Sequence, residues 1–400
     1  SYNKLDIQGN VLDWYKTEYN RPLDDGTNAA EVKQQIIKEA IEHHDALGHD
    51  FSQYDNDGDG DIDYVAVIWT GPPGEWASLW WGTFSGFGDN SFTVDGKTIS
   101  TISWQWLAYS EGQAFSPLVL IHETGHALGL PDYYDYDDSI GPRGGTGGMD
   151  MMDNNSSDHS AFSKFALGWL TPQFASTSDT NYQLSATSTN QDALILRSDT
   201  SATNKYDEYF IVQYRDRSGN DLNLNAEGLN IWHINSELNS WGYFANDNSY
   251  SDNKLIRLIQ ADNLNEIELA AAYADENDVF TTGDSFSPQT QPASKNYAAK
   301  HTGVDIQNLN TDGNSATFNA QVYPSIATIS VGSISDKSLI AHNAQATISS
   351  DDLSQVDHVE LLINGELKKT LSARYDIGSS RITAVGHRAS RCGGFYLALA

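Results

Sequence analysis

Residues 122–132 read His122-Glu123-Thr124-Gly125-His126-Ala127-Leu128-Gly129-Leu130-Pro131-Asp132. The two histidines stand four positions apart, which on a helix puts them one turn apart on one face, within reach of a single metal ion. Imidazole nitrogens suit zinc, and a catalytic zinc keeps three protein ligands and leaves one position for water. Glu123 follows the first histidine, placed to take a proton from that water rather than to bind the ion. Gly129 lets the chain turn sharply out of the helix, and Asp132 returns a carboxylate as the third ligand. With 11 His and 15 Glu in 400 residues, the five-residue core arises by chance in about one chain in a hundred, and Gly129 with Asp132 lowers that roughly another hundredfold. Two satisfied core histidines are the weaker explanation.

The flanks support a helix over Ser116–Leu128, with Ser116 as N-cap, Pro117 in its first turn and Leu118, Ile121 and Leu128 available to a core. Downstream, Met149, Met151 and Met152 are the only methionines of the chain. They follow a Gly-rich segment, and adaptable methionines there fill a gap in a core or lie beneath the two imidazoles. A second helix is expected over Ser160–Leu170, burying Phe162, Phe165, Ala166 and Trp169.

Upstream, apolar residues recur at helical spacing between Asn28 and Gly48. His43 and His44 close that helix, where a cation suits its dipole. Asp55, Asp57, Asp59, Asp61 and Asp63 then alternate with Asn56, Gly58, Gly60 and Ile62. Five carboxylates so close repel one another unless a divalent cation neutralises them. The order matches the first half of a calcium loop, with Gly60 at the turn and Ile62 at the hydrophobic position. Position 12 is Ala66, so Asp63 stands in for the usual bidentate Glu and Asp61 supplies a backbone carbonyl. Asp135, Asp137 and Asp138, like Asp275, Glu276 and Asp278, are weaker acidic groups read as solvated surface. A strand over Tyr64–Trp69 leads into an aromatic stretch holding Trp76, Trp80, Trp81, Phe84 and Phe87, expected to serve core packing more than a cleft. Asp95-Gly96 is a two-residue hairpin signal between Ser91–Val94 and Lys97–Ile99.

The segment His122–Asp137, with Met149-Asp150-Met151-Met152 and Ala161–Leu170, resembles the active-site signature, Met-turn and following helix of secreted immune-inhibitor-A-like metallopeptidases. The similarity extends from about Gly9 to Val322, through Tyr54–Val67, Glu208–Val212 and Gly228–Ile234. The resemblance implies a zinc endopeptidase of metzincin type, made as a precursor whose pro-segment is removed before Ser1, with Met152 in the Met-turn position. Two departures stand out. Many metzincins have His where this chain has Asp132, and the Tyr that often follows the Met-turn Met by two is Asn154 here. Tyr133, Tyr134 and Tyr136 remain open as substitutes.

The expected architecture is an α+β, zincin/metzincin-like catalytic domain over residues 1–172, then an antiparallel β-sandwich over 173–323. A partial immunoglobulin-like β domain follows over 324–373, with His358–Ile363 closed by Asn364-Gly365. Residues 374–400 hold four of the ten Arg, the sole Cys392 and only Asp376 as an acid. They are expected not to be the original end of that domain.

Composition bounds the rest. The net charge is −31, which argues against nucleic acid, whose phosphates require clustered Lys and Arg. No apolar run approaches the ~20 residues of a membrane span. Of the 54 acidic residues, 39 are Asp, a bias toward turns and cation binding. One cysteine excludes an internal disulfide framework. The chain begins at Ser1 without a signal-like segment, so any leader is expected to have been removed. The expectation is therefore a secreted, monomeric endopeptidase acting on proteins or peptides, with catalytic Zn2+ and structural Ca2+ and with a C-terminal β domain that binds a surface or glycan. The competing expectation is a calcium-dependent adhesion or glycan-binding protein on an inactive protease scaffold.

Overall fold

The computed structural model describes residues 1–19, 29–70, 81–107, 113–137, 139, 144–197, 205–249, 252–270 and 272–322, with the side chains of all but 29 and 270. Beyond them it describes the backbone of residues 330–332, 347–349, 358–363, 366–372 and 395–399. Trp76, Trp80, Asp138, Cys392 and the Asn364-Gly365 turn lie outside these residues. The chain is mixed α/β, mostly sheet, and its strands form several small sheets.

The expected first helix is α1, Ala29–Ala46. It is followed by β1 (Asp61–Ile62), β2 (Val65–Trp69), β3 (Thr83–Gly86), β4 (Thr93–Val94), β5 (Lys97–Ile99) and β6 (Thr101–Trp106). β4 and β5 form the expected hairpin, turned by Asp95 at φ 50° and Gly96 at φ 76°, the paired positive φ of a type I′ turn. β1 joins β5 in parallel. The other sheet has the order β2-β6-β3, with β2 parallel and β3 antiparallel to the central β6.

Because side chains alternate along a strand, β6 serves two layers. Ile102, Trp104 and Trp106 pack with Ile37 and Ile41 of α1 and with Trp69, Phe87 and Ile99 in one core. Ser103 lies on the opposite face, toward α2 (Leu118–Ala127). There the Tyr64 hydroxyl donates to Ser103 Oγ at 2.8 Å and lies 3.1 Å from Thr124 Oγ1 of α2. The aromatics described here are therefore mostly core, as expected, although Trp81 is exposed.

A single turn, α3 (Met151–Asn154), and a short helix, α4 (Ala161–Ala166), come next. Ser160 caps α4, its side chain accepting from Ser163 N. The strands that follow are β7 (Gln173–Phe174), β8 (Thr180–Ser185), β9 (Leu194–Leu196), β10 (Glu208–Arg215), β11 (Gly228–Asn235) and β12 (Ile256–Leu258), then α5 (Glu266–Ala270), β13 (Val304–Thr311) and β14 (Ser315–Val322). They build a five-stranded sheet, β12-β11-β10-β9-β7, and a three-stranded sheet, β13-β14-β8. All these pairs are antiparallel except β7 with β9.

The five-stranded sheet is buried on both faces. One face shares a core with the three-stranded sheet through Phe210, Val212, Ile231, Phe286 and Phe318. The other, through Ile195, Tyr209, Ile211, Trp232 and Ile234, packs on Tyr133, Met149, Met152 and Phe162. One core thus spans the expected division after Pro172. Each large apolar side chain buried there contributes about 1.5–3 kcal/mol. Farther on, β15 (Ser330–Gly332) pairs with β16 (Thr347–Ser349), and β17 (His358–Ile363) lies between β18 (Glu366–Ser372) and β19 (Phe395–Leu399). The end of the 374–400 segment therefore joins the last sheet as an antiparallel strand.

Candidate metal centre

Helix α2 is shorter at its start than expected. Pro117 occupies the N-cap position and no side chain caps it, so Ser116 does not serve that purpose. The burial is also inverted from expectation. Ile121 is 40% and Leu128 38% exposed, while His122, Glu123 and Gly125 are buried. Leu118, Val119 and Leu120 are half-buried, so the fully buried side of the helix is its polar one.

The helix ends as the sequence requires. Gly129, at φ 98°, follows a last turn in which Leu130 N donates to Gly125 O at 3.0 Å and Gly129 N to His126 O at 2.9 Å. These two bonds form a Schellman motif, which a left-handed glycine allows without strain. The reversal brings Leu130 O to His126 Nδ1 at 2.8 Å and swings Asp132 back over the helix. His122 Nδ1 meets Met151 O at 2.9 Å.

Carbonyl oxygens only accept, so each Nδ1 carries a proton, and in the neutral imidazole each Nε2 then presents a lone pair. Asp132 Oδ1 lies 2.9 Å from His122 Nε2 and 3.2 Å from His126 Nε2. Neither contact is aligned as a hydrogen bond, and this buried oxygen has no other partner. With both imidazoles neutral, three electron-pair donors converge, which is the arrangement of ligands around a cation. The Glu123 carboxylate also groups with the two imidazoles, its ligand atom within 4.8 Å of theirs. Among these four residues, Asp132 makes the shorter approach to both rings.

The electrostatics separate the two carboxylates. Burial raises the pKa of Glu123, and the imidazoles of His122 and His126 would offset part of that rise only when protonated. Burial opposes the charge on Asp132 as well, yet His122, His126 and Tyr136 outweigh it and hold its pKa well below the ordinary range. Glu123 is therefore the more basic of the two carboxylates and Asp132 the more firmly ionised.

The structure also chooses among the tyrosines. Tyr133 is fully buried, and its hydroxyl accepts from Ser163 Oγ at 3.1 Å, away from the site. Tyr134 and Tyr136 both donate to Asp132 Oδ2, the former at 2.9 Å. They fix the carboxylate through one oxygen and leave Oδ1 facing the imidazoles. Phe84 stacks on His126, ring centroids 6.2 Å apart, so part of the aromatic stretch does border the site.

Met152 lies under α2. A methyl built on Gly125 would stand 2.5 Å from Met152 Sδ and 3.4 Å from His159 Cε1. Gly125→Ala is therefore expected to destabilise the fold by about 1–3 kcal/mol through overpacking, read as a lower midpoint in urea. Asp150 holds this turn, accepting from Met152 N at 2.8 Å and Ser160 N at 2.7 Å.

Sequence reasoning missed Arg215. This fully buried residue of β10 donates to Met149 O and, at 3.1 Å, to Asp158 O, and it pairs with the buried Asp221. Lys164 pairs with Asp158 at 2.8 Å beside it. The methionine turn is thus anchored to the five-stranded sheet by charge-assisted bonds. The only hint was an arginine ending an otherwise apolar strand.

At the acidic loop the structure brings together Asp55, Asp57 and Asp63, whose ligand atoms lie within 4.8 Å of one another. The carboxylates of Asp59 and Asp61 lie outside this group, Asp61 having been expected to offer only its backbone carbonyl. Asp59 accepts from Asp61 N at 2.8 Å, and Asp61 accepts from Thr98 Oγ1. Lys97 reaches Asp55 at 2.6 Å and holds its pKa down. Among the weaker groups, Glu276 pairs with Arg217 at 2.5 Å, while Asp278 clusters with Asp262 and Glu266 rather than with Asp275. His44 meets Asp13 O at 3.0 Å and His43 lies against Tyr15, so neither forms a metal group.

The chain matches no protein-family model, and a search of curated proteins returns no match.

Proposed function

We propose that the protein is a secreted zinc endopeptidase of the immune-inhibitor-A-like, metzincin type. The observation that carries this reading is the convergence of His122 Nε2, His126 Nε2 and the otherwise unpartnered Asp132 Oδ1, with Glu123 beside them. His122, His126 and Asp132 hold the ion, which when bound supplies Lewis acidity to a water and to the scissile carbonyl. Glu123 takes the proton of the attacking water and delivers it to the leaving amine. Its burial favours that task, because a carboxyl whose pKa is raised is a stronger base. Tyr134 and Tyr136 keep Asp132 oriented, and Met152 supports the helix from below. β3 has no second strand neighbour among the described residues and runs past His126, which suits an extended peptide. The two sheets that share the Phe210–Phe318 core support the β-sandwich reading of the second region.

The Asp55, Asp57 and Asp63 group is the calcium site of this reading. It lies at the start of β1 and next to β2, so its role is to fasten the loop to the sheets. Removing calcium while zinc is retained is expected to lower the melting temperature, because a ligand bound only to the folded chain stabilises it by about 2.7 kcal/mol at a hundred times its Kd. A melt that does not move counts against the site.

The competing reading, an adhesion or glycan-binding protein, draws on Trp241 and Tyr243, which are 84% and 73% exposed on one loop. Casein hydrolysis that is lost with a zinc chelator and restored by zinc supports the endopeptidase. Glycan binding without hydrolysis supports the alternative.

A further inference from the structure

Beside the candidate metal centre lies a cavity of about 210 Å³, bordered by Tyr134, Gly147, Gly148, Asp153, Asn154 and Tyr273. Tyr134 belongs to both places, since its hydroxyl is the one bound to Asp132 Oδ2. The cavity is therefore within a side chain's reach of the bond to be cleaved. Its walls require small residues: a methyl on Gly147 would stand 2.7 Å from Ile267 Cδ1, and one on Gly148 2.9 Å from Tyr273 Cδ1.

Asp153 is the charged group of this lining. Its Oδ2 accepts from Thr146 N and Oγ1, both at 2.9 Å, and from Gly148 N at 2.6 Å. Oδ1 accepts no hydrogen bond among the described residues. Lys254 comes close to Gly144 on the same wall, but its Nζ is paired with Glu268 at 2.6 Å. Among the described residues the carboxylate has no ion-pair partner, and burial pushes its pKa up, with Asp150 adding to the effect. A cation entering the cavity relieves that cost. The rings of Tyr134 and Tyr273 offer faces for an aliphatic stem and for cation–π contact. The net charge of −31 draws cationic partners toward the surface as a whole.

We propose that this cavity receives a lysine or arginine side chain of the peptide substrate, with Asp153 as the specificity-determining residue. The inference rests on the endopeptidase reading for its substrate, while the cation site itself is testable without catalysis.

The experiment combines two measurements. Cleavage of a peptide library by the zinc-loaded protein is expected to show Lys and Arg enriched at one position beside the scissile bond. Binding of Nα-acetyl-arginine amide, compared with its neutral citrulline counterpart, is expected to be about tenfold tighter, the scale of one charge-assisted hydrogen bond. Asp153→Asn keeps an oxygen for Thr146 and Gly148 but removes the charge, so both preferences should disappear. Asn154→Asp, which adds a carboxylate to the lining, should strengthen them and carries the test if the first variant fails to fold. Cleavage without basic enrichment, together with equal binding of the two amides, overturns the inference and leaves the endopeptidase standing. Asp153-dependent arginine binding without any cleavage supports the cation site and removes the endopeptidase.

Discussion

Glu123→Gln is expected to lower peptide hydrolysis by about 10²–10⁴-fold, the usual contribution of a positioned acid–base group, while zinc content stays at the wild-type level. The expectation follows from the division of labour at the site. Asp132 Oδ1 stands 2.9 and 3.2 Å from the two imidazole nitrogens and is the third ligand in this account. Glu123 is the proposed proton carrier, and glutamine keeps its size and one carboxyl-like oxygen without its basicity. Glu123 is also costly to ionise in the folded chain, because burial raises its pKa. Above that pKa its charge subtracts from stability, so a neutral glutamine should not lower the melting temperature. Lost hydrolysis with retained metal and an undiminished melt separates a missing base from a damaged fold. Wild-type cleavage by the variant rules out Glu123 as the base.

Asp132→Ala should have the opposite signature, with the metal lost first. Two imidazoles alone leave a zinc ion short of a ligand, and the substitution also strands the Tyr134 and Tyr136 hydroxyls. Zinc affinity is expected to fall by more than about a hundredfold, since partners one shell farther out are already worth 10–100-fold. Tyr136→Phe is the graded control. It removes one of two hydroxyls from Asp132 Oδ2 and leaves the carboxylate in place, so its loss of affinity should be smaller. Competition with a chromogenic chelator measures all three proteins. An Asp132→Ala protein that binds zinc as tightly as the wild type removes Asp132 from the ligand set.

The contrast between these variants also shows what the sequence could disclose. His122, Glu123, His126, Gly129 and Asp132 were legible because helical period and a left-handed glycine are local properties, written within eleven residues. The Asp95-Gly96 hairpin and the capped start of α4 at Ser160 were legible for the same reason. Long-range matters were not. Nothing near Tyr134 or Tyr136 says that their hydroxyls meet on one carboxylate, or that Tyr133 turns into the core. Arg215 lies 66 residues from the Met149 carbonyl it holds, and no spacing rule spans that distance. Apolar periodicity assigned Ile121 and Leu128 to a core, yet their helix is held by its polar face. In the acidic loop the alternation of Asp counted five ligands. The carboxylates of Asp55, Asp57 and Asp63 group, while those of Asp59 and Asp61 accept from backbone and threonine donors, as short acidic side chains readily do in turns.

The central claim is that His122, His126 and Asp132 together hold a zinc ion beside Glu123. Anomalous diffraction from zinc-loaded crystals, collected on either side of the zinc absorption edge, tests it most directly. The account predicts a peak within bonding distance of both Nε2 atoms and Asp132 Oδ1, with Glu123 outside the coordination shell. A map with no peak there, or with Glu123 rather than Asp132 bound to the metal, would contradict it.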